Sequence, residues 1–96
     1  MRIEVILPHF LNLLVKNQEN HTDEKLIMNA SSMKELYSEF QNCYPHVTKE
    51  IFDHEGNVKK NVIVVVNDTL LQRNTLNEFR FSNDSVLEIM LQFAGG

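Results

Sequence analysis

Apolar residues recur at two different periods along the chain. Ile3, Val5 and Leu7 share one face at period two, and Arg2, Glu4 and Ile6 share the other, which predicts a strand over residues 2–7. Pro8 has no N–H for a ladder and marks its end. Phe10, Leu11, Leu13, Leu14 and Val15 follow as an apolar turn or short helix, with Phe10 and Leu11 read as core. Residues 17–23 are polar and read as a loop. Residues 24–28 predict a second strand, and the two strands a hairpin with a long connection.

The period then changes to that of a helix. Met33, Leu36, Tyr37 and Phe40 recur at helical spacing, continued by Cys43 or Tyr44, while Lys34, Glu35, Ser38, Glu39 and Asn42 occupy the other side. Ser32 stands three residues before Glu35, the spacing of a capping box. Pro45 stops the helix. Residues 47–52 add a helical turn with Val47, Ile51 and Phe52 inward, and residues 53–60, which include Gly56, form an exposed loop.

Val62-Ile63-Val64-Val65-Val66 is the strongest strand signal. A β-branched run without alternation predicts burial on both faces and a central position. Asn67-Asp68 supplies turn chemistry, and Leu70 and Leu71 start a short strand. Residues 74–81 are ambiguous, with Leu76, Phe79 and Phe81 as core contacts. Asn83-Asp84 forms a second turn, residues 85–92 a last strand, and residues 93–96 a tail. One amphipathic helix needs a flat apolar partner, and the strands supply it. The expected class is α+β: a mixed sheet of four to five strands with one main helix across one face. A ferredoxin-like sheet would need a second good helix. Parallel, adjacent first and last strands would make the fold a β-grasp, the ubiquitin-like arrangement.

With 96 residues there is room for one domain. We take residues 1–92 as that domain and residues 93–96 as a flexible Gly-Gly tail. A domain this size hides about 60–65% of its unfolded surface, enough for a modest core but not for a deep substrate cavity as well. The net charge of −4 argues against a phosphate-gripping surface and so against nucleic acid as a direct partner. No stretch approaches the ~18 apolar residues of a membrane span. The lone Cys43 cannot form an internal disulfide. Together these features predict a soluble, cytoplasmic protein that does not engage membranes.

Candidate catalytic chemistry is sparse. Cys43 reads as a small buried hydrophobe at a helix C-terminus, where the dipole disfavours thiolate. His9, His21, His46 and His54 are too far apart for a standard metal pattern. Asp53, Glu55, Asp68 and Asp84 fall in turns, where solvated carboxylates are ordinary. No phosphate-binding glycine loop and no nucleophile elbow is present. The chain reads as a non-enzyme by itself, with no metal and no permanently bound cofactor.

The tail differs from this background. The chain holds three glycines, and two of them are Gly95 and Gly96. Three stretches carry a resemblance: Val62-Ile63-Val64-Val65-Val66-Asn67-Asp68, Asn83-Asp84-Ser85-Val86 and Phe93-Ala94-Gly95-Gly96. In these the chain resembles the sulfur carriers of the β-grasp superfamily. That group includes the small subunit of molybdopterin synthase, the thiamine sulfur carrier, the cysteine-synthesis carrier and the ubiquitin-related modifier. Asn83 stands where the family has glycine; asparagine tolerates positive φ, so the turn is expected to survive there.

The resemblance implies a mechanism. An ATP-using activating enzyme joins the Gly96 carboxylate to AMP, and a sulfur donor, a persulfide or sulfurtransferase, displaces AMP to leave a thiocarboxylate. An acceptor enzyme, such as a molybdopterin synthase large subunit or a cysteine synthase, then takes the sulfur. Gly95 and Gly96, without Cβ atoms, and the small Ala94 suit threading into a narrow channel. Phe93 has two readings: a continuation of the Leu87, Ile89, Leu91 core face, or an anchor in the partner. Two other functions remain open, a protein modifier joined to lysines through Gly96 and a plain ubiquitin-like interaction domain.

Overall fold

The computed structural model describes residues 1–13 and 25–92. Leu14, Val15, the expected loop at 17–23 and the tail at 93–96 lie outside the described residues. β1 (Arg2–Ile6) and β2 (Lys25–Asn29) pair antiparallel, with Ile3 opposite Met28. Residues 9–13 are helical, begun by Leu11 and Asn12 N–H groups that both donate to Pro8 O. Leu11 is fully buried there, but Phe10 is 42% exposed, against the expectation that both enter the core. Adjacent positions on a helix point about 100° apart, and the second inward position of this turn is taken by Asn12 rather than Phe10.

α1 (Met33–Cys43) follows the predicted bounds. Ser32 Oγ accepts from Glu35 N–H at 3.3 Å, and Glu35 Oε1 reaches back to Ser31 N–H and Oγ at 2.8 Å each. Those bonds, the backbone one foremost, hold the Glu35 carboxyl below its ordinary value. Met33, Leu36 and Phe40 form the buried face. Cys43 is exposed rather than buried, with Sγ 3.7 Å from Glu39 Oε1. Half-buried Tyr44 continues the apolar face instead, its ring 6.3 Å from that of Phe40. Tyr44 stands four residues after Phe40, on the same helical face, and caps the helix with its N–H donating to Phe40 O at 2.7 Å.

The helical turn expected near residue 47 is α2 (Pro45–Ile51), with Pro45 in its first turn, where a missing N–H is harmless. Val47, Ile51 and Phe52 are buried as expected. The loop that follows is less exposed than its polarity implies. Val58 is buried and bridges to Phe52, and Asp53 Oδ1 accepts from the N–H groups of Glu55 and Asn57. Hydrogen bonding from Asn57 leads the causes that lower the Asp53 pKa.

β3 (Val62–Val66), β4 (Thr69–Leu70) and β5 (Ser85–Leu91) complete a five-stranded sheet in the order β2-β1-β5-β3-β4. β1 and β5 are adjacent and parallel, and β3 runs antiparallel to β5. The middle position therefore belongs to β5, and β3 lies one strand from the edge. Only Val62, Val64 and Val66 of β3 are buried; Ile63 and Val65 are half-buried. The helices cover one face of the sheet, so a strand with two apolar faces can bury only one of them. The short strand also shifts by one residue. Thr69 and Leu70 pair with β3, and Leu71 donates to Val64 O.

Asn67 (φ 49°) and Asp68 (φ 67°) make a two-residue hairpin loop of the primed type. Asn67 also extends the ladder beyond β3: its N–H donates to Val86 O and its Oδ1 accepts from Val86 N–H, each at 2.9 Å. In the second turn the left-handed residue is Asp84 (φ 65°), not Asn83. Asn83 instead turns its side chain to β1, with Oδ1 accepting from Arg2 N–H at 3.2 Å. Between these turns, residues Arg73–Glu78 form a 3-10 helix that buries Leu76. Phe81 is buried and Phe79 half-buried, in edge-to-face contact at 5.5 Å.

Candidate functional site

Two features of the sheet bear on function: the root of the tail and the face without a helix. β5 is held on both sides, through Ser85–Glu88 opposite Ile3–Ile6 and through Leu87–Leu91 opposite Val66–Val62. Gln92 N–H donates to Asn61 O at 2.7 Å, so the strand is fastened to the last described residue. Phe93, Ala94, Gly95 and Gly96 lie outside the described residues. What is described is their point of attachment, the end of the middle strand of the sheet.

β1 leaves the sheet before β5 ends. Its pairing stops at Ile6 opposite Glu88, and Pro8 carries no N–H to extend it. The departure is fixed by Asn12, buried, whose Nδ2 donates to Leu7 O at 3.1 Å. A cleft of about 410 Å³ opens there, lined by residues 6–8 and 88–91, directly beside the root of the tail.

Among the described residues, no helix packs on the face of the sheet opposite α1. Val86, Glu88 and Met90 of β5 line its middle, with Ile6 on one side and Ile63 and Val65 on the other. Its outer strands add Ile27, 51% exposed, and Leu70, 63% exposed. Apolar side chains scattered over a surface are ordinary, whereas a contiguous apolar face marks an interaction surface. From its sequence an acidic carrier is expected to dock through one sheet face together with the tail, but neither which face nor its residues are named at that level. The alternation Val86, Glu88, Met90 against Leu87, Ile89 was the available signal, and the β-branched run of β3 masked its continuation.

The other candidates gather into nothing comparable. Among the described residues no three His, Cys, Asp or Glu side chains approach closely enough to hold a metal; His21 lies outside them. Asp68 and Asp84 occupy turns, and Asp84 meets Arg2 across an exposed 3.2 Å ion pair. Leu91 is half-buried at the end of the core face that Phe93 was expected either to continue or to leave.

No family model and no curated protein matches the sequence. Solved structures do. A chain of the BexX/CysO complex from Amycolatopsis orientalis superposes with a TM-score of 0.78 at 16% identity, over 98% of this chain and 99% of that one. SAMP1 from Haloferax volcanii gives 0.75 at 12% identity, with both chains covered completely. This chain has the β-grasp fold. A chain of the complex of subunits 1 and 2 of molybdopterin-converting factor from Helicobacter pylori 26695 is also similar, with a TM-score of 0.57 at 21% identity and complete coverage of both. At such identities the likeness establishes the β-grasp and leaves the chemistry to be argued from the chain itself. Among the described residues of this β-grasp protein, no helix is long and apolar enough to cross a membrane.

Proposed function

We propose that the chain is a sulfur carrier whose reacting group is the carboxylate of Gly96. The observation that carries this reading is the junction of the β-grasp sheet with a Gly-Gly sequence. The middle strand, fastened on both sides, leads within a few residues into Phe93-Ala94-Gly95-Gly96. An ionised carboxylate is a poor electrophile. Attack of one of its oxygens on the α-phosphorus of ATP, with loss of pyrophosphate, gives an acyl-adenylate. The terminal sulfur of a persulfide then displaces AMP to give an acyl disulfide. A second thiol of the donor system cleaves its S–S bond, ending as a disulfide with the donor and leaving the carrier with a thiocarboxylate for an acceptor enzyme.

In this scheme the chain supplies the reacting group and its partners supply catalysis. The sheet is a rigid handle, the open face docks, and the tail delivers the carboxylate. Two of the structural neighbours lie in complexes, BexX with CysO and the two subunits of molybdopterin-converting factor, which supports a role docked to partner proteins. A second reading, a modifier joined to lysines through Gly96, is favoured by the likeness to a small archaeal modifier protein. It shares the adenylation step and differs in the nucleophile.

The test is intact mass after incubation with ATP, the adenylating enzyme of the same organism and a sulfur source. The carrier reading expects replacement of one oxygen by sulfur, with no larger adducts. Deleting Gly96 draws the carboxylate back by up to ~3.6 Å, far beyond near-attack tolerance, and should abolish loading without lowering thermal stability. Loading of the truncated protein, or no loading of the intact one, refutes the proposal. Adducts on lysines would move the assignment to the modifier.

A further inference from the structure

The open face carries one residue that the fold itself does not use. Glu88 stands in the middle of β5, with Ile6 opposite it on β1 and Val65 opposite it on β3. Its neighbours on the same face of β5 are Val86 and Met90. All four are apolar and lie about 5–7 Å away by sheet geometry. The Glu88 side chain is half-buried among them. Among the described residues it makes no ion pair and no side-chain hydrogen bond. The other acid of this face, Glu4, already has Lys25 at 3.9 Å. A β-branched residue would suit this position of the strand better than a carboxylate. When an apolar surface closes over the face, an unpaired charge at its centre is costly, whereas a paired one is selective.

We infer that Glu88 is the charge anchor of the docking face, and that the enzyme adenylating Gly96 presents an arginine to it from within an apolar surface. The inference rests on the carrier reading. Arginine fits better than lysine because guanidinium is more weakly hydrated and grips a carboxylate through two parallel hydrogen bonds. The apolar ring of Ile6, Val65, Val86 and Met90 excludes water around the pair, as in the centre of a protein interface. The net charge of −4 adds long-range attraction to a basic partner surface.

The experiment is steady-state loading of Gly96 at varied carrier concentration with that adenylating enzyme. Glu88→Gln keeps the shape and removes the charge; it should raise KM about 10- to 100-fold with kcat nearly unchanged. Glu88→Arg should abolish measurable loading. Glu55→Gln, which removes the same charge from the loop after α2, should leave KM as it is. The urea midpoint of Glu88→Gln should match that of the parent, because among the described residues no ion pair or side-chain hydrogen bond is lost. KM of the parent should rise with salt, and that of Glu88→Gln should rise less. An unchanged KM for Glu88→Gln, with the parent loading normally, overturns this inference and leaves the carrier reading standing. Failure of the parent to load overturns both. A dimer of the isolated protein that Glu88→Gln dissociates would assign the face to a second copy, and would also overturn the inference.

Discussion

Replacing Asn67 tests how the β3–β4 hairpin is held to the middle strand. Two separate effects are at stake. Asn67 sits at φ 49°, where alanine is disfavoured by about 1–2 kcal/mol and asparagine by less, so Asn67→Ala should cost about 1 kcal/mol through the backbone. Its Oδ1 also accepts the Val86 N–H at 2.9 Å, and losing that bond should cost about 1 kcal/mol more. The sum of about 2 kcal/mol corresponds to a fall in Tm of roughly 8–16 °C for a domain of this size. Asn67→Gly keeps the backbone freedom and loses only the side-chain bond, so it should fall about midway. Asn67→Asp keeps both features and should stay close to the parent. Thermal and urea unfolding followed by circular dichroism read all three. Equal stability of Asn67→Gly and the parent would refute a role for the side-chain bond, and equal stability of Asn67→Gly and Asn67→Ala would refute the backbone cost. Asn67 lies at the end of the β3–β5 ladder away from Leu91, so Gly96 loading below the unfolding range should not change in any of them.

Three further outcomes are expected. Phe40→Ala removes a fully buried ring that touches Tyr44 and Phe52 and should lower unfolding free energy by about 3–5 kcal/mol, measured in urea. The bonds from Ser31 depress the Glu35 pKa. The stability they supply is therefore fully present above the ordinary glutamate value of 4.5 and is lost as pH falls below it through the folded-state value. Glu35→Gln should flatten the pH dependence of the urea midpoint in that acid range, and an unaltered profile would refute the assignment. Phe93→Ala separates anchor from core: a weaker complex with the activating enzyme at unchanged Tm makes Phe93 an anchor, and a large loss of Tm makes it core.

Features decided within a few neighbouring residues were legible in the sequence. The Ser32–Glu35 spacing and the Met33, Leu36, Phe40 stripe define α1, because capping and helical period are properties of one segment. The alternation of Ile3, Val5 and Leu7 separates the two faces of β1, and Asn67-Asp68 marks a turn, for the same reason. The Gly95-Gly96 tail, on which the candidate chemistry rests, is likewise read directly from the chain. Features that depend on what lies across space were decided only by the fold. The β-branched run of β3 reads as a strand buried on both sides. Its true place, one strand from the edge, follows from β5 inserting between β1 and β3, and strand order is a choice among partners distant in sequence. Tyr44, not Cys43, completes the helix face, with its ring edge-on to that of Phe40 while Cys43 is exposed. Asp84, not Asn83, takes the left-handed conformation, while the Asn83 side chain reaches across to Arg2 of β1. The isolation of Glu88 among Ile6, Val65, Val86 and Met90 is also a tertiary fact, since three strands far apart in the chain must align before one carboxylate is ringed by apolar side chains.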